Sequence, residues 1–135
     1  LGLDPAALDA DFEAHLAFVE KAFGLERWEE RADVPEWARD LRLVLNLHGQ
    51  HWTGHVFNTF DAMADAVEAA ARELPGRQVL AYLAGWEGRY YWQYPYYQPG
   101  EALGGEAGFR RLLARVRAAG AHVMPMFGAN GVNAQ

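Results

Sequence analysis

Seven aromatic residues fall within twelve positions: Trp86, Tyr90, Tyr91, Trp92, Tyr94, Tyr96 and Tyr97. The whole chain holds eighteen, so this is a concentration. Rings with a polar edge suit sugars: they stack on the apolar C–H face, while OH and NH groups bond hydroxyls. We read Trp86 and one or more of Tyr90, Tyr94 and Tyr97 as sugar-contacting rings. Glu87 follows directly and is a candidate for hydroxyl binding or acid–base work. A glycosidase needs two carboxyl groups ~5 to ~9.5 Å apart. No second carboxylate occupies an equivalent strand end in the sequence, so no catalytic pair is assigned.

A second polar group is His48, His51 and His55, three histidines in eight residues. Such density raises a metal reading. Gly49 and Gly54 oppose the helix that a helical zinc motif needs, and no carboxylate stands at motif spacing. His48 and His51, with Trp52, are therefore expected to line a polar pocket, and no metal ligand is assigned. Asn46, Asn130 and Asn133 lie at or past strand ends, and Asn130 is added to the hydroxyl-binding set. The chain has neither serine nor cysteine, and its two threonines lack an activating partner. Nucleophilic hydroxyl or thiol chemistry is not expected.

These residues need a scaffold. Residues 5–24 read as an amphipathic helix, with Phe12, Leu16, Val19 and Phe23 on one face and Gly24 closing it. Residues 25–40 are charged and irregular. Residues 41–47 read as a first strand, and residues 48–55 as the loop after it. A helix opening at 57–60, with Asn58 or Thr59 as its cap, runs to Pro75-Gly76. Residues 79–84 read as a second strand and 106–119 as a third helix. Residues 123–127 read as a third strand. Short apolar strands alternating with amphipathic helices imply an α/β fold with parallel pairing and both sheet faces covered. We divide the chain into a lead-in, 1–40, and an α/β domain, 41–135.

Two architectures fit: a doubly wound sheet, or the first three βα units of a (β/α)8 barrel. The loop after the first strand lacks the glycine spacing of dinucleotide folds and P-loops. Strand starts are further apart than the ~30 residues of an average barrel unit. The excess sits in the loops after the strands, which form the functional face of either architecture.

Composition narrows the partners. A net charge of -6 opposes nucleic acid phosphates and anionic membranes. No apolar run reaches the ~18 residues of a membrane span. No cofactor is implied.

Several motifs together resemble a known group. They are Gly85-Trp86-Glu87-Gly88, Tyr94-Pro95-Tyr96-Tyr97-Gln98-Pro99, Leu103-Gly104-Gly105, and Gly120-Ala121-His122-Val123-Met124-Pro125. Pro35-Glu36-Trp37 precedes them. In this order they resemble a bacterial glycosidase-like (β/α)8 domain of unknown function, distantly similar to the α-galactosidase clan of glycoside hydrolases. The resemblance covers about residues 35–133. It implies a barrel hydrolase acting on glycosides, whose catalytic carboxylates end the fourth and sixth strands, beyond Gln135. In that clan the second strand ends in Asp-Asp-Gly-Trp. Here the stretch is Leu83-Ala84-Gly85-Trp86, so galactose specificity does not carry over.

The expected partners are a carbohydrate and the rest of the same barrel. Three parallel strands with open edges leave backbone groups unpaired. That predicts loose packing or aggregation for the 135 residues expressed alone. Two alternatives belong to other classes: a non-catalytic carbohydrate-binding protein, and a metal-dependent hydrolase using His48 and His51.

Overall fold

The computed structural model describes residues 5–28, 30–88 and 97–127. The chain divides into two compact units, residues 1–39 and 40–135.

The first unit holds helix α1, Pro5–Phe23, and the short helix α2, Glu36–Arg39. α1 ends where Gly24 takes a positive φ of 61°, and the Leu25 amide reaches back to the Glu20 carbonyl at 2.9 Å. That six-residue return is the usual glycine stop of a helix. Of the apolar face of α1, Phe12, Leu16 and Phe23 are exposed and Val19 is half-buried. Periodicity thus located the helix. Burial of its apolar face did not follow.

The second unit is α/β. It contains β1 (Leu43–Asn46), α3 (Phe60–Glu73), β2 (Val79–Leu83), α4 (Gly105–Ala118) and β3 (His122–Pro125). Single 3₁₀ turns, Gly76–Gln78 and Glu101–Leu103, precede β2 and α4. The strands pair in the order β1-β2-β3, all parallel. Leu43 aligns with Val79, and Leu80 with His122. Sequential order is common to a run of barrel units and to one wing of a doubly wound sheet.

Both crossover helices pack against each other and against one face of the sheet. Phe60, Met63, Ala64 and Val67 of α3 meet Leu112 and Val116 of α4 over Ala81 and Leu83 of β2. Leu45 and Val123 close this core from the flanking strands. The expectation of helices on both faces is corrected here. Two successive crossovers of one hand, running in one direction, leave their helices on one side. On the opposite face, Val44 and Met124 are exposed.

Local signals set the helix ends. Thr59, not Asn58, caps α3: its hydroxyl accepts the Ala62 amide at 3.3 Å. Asn58 instead donates from Nδ2 to the His48 carbonyl at 2.8 Å, tying α3 to the loop after β1. Arg115 of α4 bridges to Glu68 and Asp65 of α3 at 2.7 and 2.6 Å. This holds the two helices in register on their solvent side.

Candidate functional site

The parallel ladder between β1 and β2 continues beyond the strands. Leu47, Gly49 and Gln50 donate their amides to the carbonyls of Tyr82, Ala84 and Gly85 at 2.8, 2.7 and 3.0 Å. At Gly49 the two loops nearly touch. A Cβ there would lie 2.5 Å from the Gly85 oxygen and 2.7 Å from Leu103 Cδ1. Only glycine allows this approach. The loops after β1 and β2 therefore share a bare backbone floor at the carboxyl ends of the strands.

The loop after β2 is pinched at its base. The Gly100 amide donates to the Trp86 carbonyl at 3.0 Å, and a Cβ on Gly100 would lie 2.8 Å from Gly88 Cα. Residues 86 and 100 are thus neighbours in space. This geometry brings Gln98 and Glu101 beside Glu87.

A cavity of about 310 Å³ results. Its polar side chains are Gln50, Glu87, Gln98 and Glu101, set around Gly88 and Gly100. Glu87 is the one buried charged side chain among the described residues, with 6% of its surface exposed. Burial pushes its pKa above the ordinary glutamate value, and a hydrogen bond to its own backbone amide offsets this in part. Glu101 lies over Gly105, the first residue of α4, where a Cβ would be 2.9 Å from Oε2. The helix dipole favours an anion there.

The sign of the Glu87 effect is testable. An acid whose pKa is raised on folding binds more protons in the native state. Stability is then greatest below the ordinary glutamate pKa, and falls as pH rises from there through the raised value. Glu87→Gln removes this loss. We expect the variant to be more stable than the parent at pH 7, with the gap closing in acid. Urea denaturation at both pH values measures it; a gap independent of pH would refute the assignment.

A second cavity, of about 560 Å³, shares Gln98, Pro99 and Glu101 with the first. Trp86, Tyr97 and Phe109 supply its aromatic wall, and Glu106 and Arg110 stand at its edge. Trp86 is 4% exposed. Its indole stacks on Phe109 with centroids 5.1 Å apart, runs near-parallel to Tyr97 at 6.4 Å, and meets Phe127 edge-on. Nε1 donates to the Met126 carbonyl at 2.9 Å. Trp86 is therefore a core residue that joins the loops after β2 and β3. Tyr97 is half-buried. Tyr90, Tyr94 and Asn130 lie outside the described residues.

The histidines gather elsewhere. The loop after β1 folds into a tight turn: the His51 amide donates to the His55 carbonyl at 2.8 Å, and Gln50 bridges Val56. The rings of His48, His51 and His55 surround Phe57 at 5.1, 6.2 and 4.7 Å. His51 Nδ1 lies 2.9 Å from the Thr53 hydroxyl, and Trp52 packs on the His51 ring. His48, His51 and Trp52 line neither cavity. Among the described residues, no group of three or more His, Cys, Asp or Glu side chains is placed to hold a metal ion. Among the described residues, no helix is long and apolar enough to cross a membrane.

Of the residues singled out from sequence, Glu87 lines the polar cavity, and Trp86 and Tyr97 line the aromatic one. Gln50, Gln98 and Glu101 were not singled out. Their one sequence signal is a polar side chain beside a glycine near a strand or helix end: Gly49-Gln50, and Gln98-Pro99-Gly100-Glu101.

No family model, curated protein or solved structure matches the chain.

Proposed function

We propose that the chain is the carbohydrate-binding portion of a glycoside hydrolase barrel. It supplies hydroxyl recognition, and later strands of the same barrel supply the catalytic carboxylates. The observation that carries this reading is Glu87: a buried carboxyl just past β2, in the wall of an open polar cavity. Ligands of parallel α/β proteins bind outside the carboxyl ends of the strands. Two carboxamides and two carboxyl groups provide both donors and acceptors, which is what a ring of hydroxyls requires. The neighbouring aromatic wall is where a sugar's apolar face would rest, through Tyr97 and Phe109. The motif resemblance points the same way.

The test is titration calorimetry of the complete barrel protein with neutral monosaccharides and with aryl glycosides. We expect binding that weakens by roughly tenfold in both Glu87→Ala and Gln98→Ala, the loss of about one charged or buried hydrogen bond. Absence of saccharide binding, or binding indifferent to both changes, refutes the reading. Binding by the complete barrel without any turnover would favour the non-catalytic alternative.

A further inference from the structure

We propose that the polar cavity selects an amino sugar: a hydroxylated ring whose ammonium group sits between Glu87 and Glu101. This deepens the carbohydrate reading and rests on it. The lining is one-sided in charge. Glu87 and Glu101 contribute carboxyl groups, Gln50 and Gln98 contribute carboxamides, and among the described residues no Lys, Arg or His lines the cavity. The nearest cation in the adjoining cavity, Arg110, is paired with Glu106.

The burial of Glu87 is separate from the charge of the lining. Glu87 is more than nine-tenths buried and lines the cavity, and it has no cationic partner among the described residues. Among the described residues, the hydrogen bond recorded on it comes from its own backbone amide. Burying a carboxylate without a counter-charge is costly. A neutral sugar offers it hydroxyl donors, whereas an ammonium also supplies the missing charge. Glu101, exposed across the same cavity, adds a second negative group. Among the described lining residues, a uronic acid or a sugar phosphate meets two like charges and no cation, which is discrimination by repulsion. The net charge of -6 attracts cations over longer range. The ammonium and the ring make separate demands: the carboxyl groups recognise the first, the carboxamides the hydroxyls of the second.

The experiment is calorimetric titration of the complete barrel protein, near neutral pH and at low salt, with glucosamine, glucose, glucuronate and propylamine. We expect glucosamine to bind at least about tenfold more tightly than glucose, with glucuronate weakest, as a charge-assisted pair in a buried site implies. Glu101→Gln, at an exposed position that leaves the core intact, should reduce the preference. Glu87→Gln should bring glucosamine and glucose to within about twofold of each other. Glucosamine and glucose binding equally to the parent overturns this proposal and leaves the carbohydrate reading standing. Propylamine binding as tightly as glucosamine overturns the sugar part of it. Failure of all three sugars to bind overturns the carbohydrate reading itself.

Discussion

Replacing Trp86 by alanine is expected to lower the stability of the 40–135 unit by about 3–5 kcal/mol, the usual cost of truncating a buried tryptophan. The indole is 4% exposed and belongs to the same core cluster as Phe60, Leu103 and Leu112. Its removal leaves Phe109 and Tyr97 without the ring they pack on. It also strips the Met126 carbonyl of its 2.9 Å donor. Urea denaturation followed by far-UV circular dichroism measures the loss. Trp86→Phe separates the two contributions. It keeps an aromatic ring in the core and deletes the N–H, so it should cost less than Trp86→Ala. A midpoint unmoved by Trp86→Ala would mean that the indole is not a core element.

The second large effect is at Gly49. Gly49→Ala places a methyl group 2.5 Å from the Gly85 oxygen and 2.7 Å from Leu103 Cδ1. The first neighbour is backbone and the second a fully buried leucine, so neither yields easily. Overpacking of this kind costs roughly 1–3 kcal/mol, and occasionally more. Relief requires the loops after β1 and β2 to part. That breaks the Gly49–Ala84 and Gln50–Gly85 bonds that carry the ladder into the site. We therefore expect two readouts to fall together: the denaturation midpoint, and saccharide affinity by about tenfold or more. Full stability and full binding in Gly49→Ala would show that the shared floor is not needed. A further glycine contact lies at the far end of the sheet. A Cβ on Gly76 would sit well inside contact distance of the Ala119 oxygen, which marks how closely the turn before β2 meets the end of α4.

Much of the fold is legible in the residues. Phe60, Met63, Ala64 and Val67 repeat at three- and four-residue intervals, and that period predicts the buried face of α3. The run Val79–Leu83 is short, apolar and continuous, as a central parallel strand must be, and it is buried at four of its five positions. Gly120 and Pro75-Gly76 mark helix ends by their backbone preferences alone. These are local properties. A helix period or a helix stop depends on residues within one or two turns, so it can be read along the chain.

The side of the sheet on which the helices lie, and the grouping of polar residues, are not local. Glu87 and Glu101 are fourteen positions apart, and Gln50 is further still. They meet because Gly88 crosses Gly100 and Gly49 crosses Gly85. The histidine cluster shows the converse. His48, His51 and His55 are close in sequence and do converge, but around Phe57 rather than on the Glu87 cavity. Trp86 shows it again: its type suits a sugar platform, yet the strand-to-helix path turns it inward onto Phe109. Spacing along the chain determined the elements, their order and the α/β class. Only the packing of loop on loop, through contacts that glycine alone permits, decided which side chains face a common cavity and which fill the core.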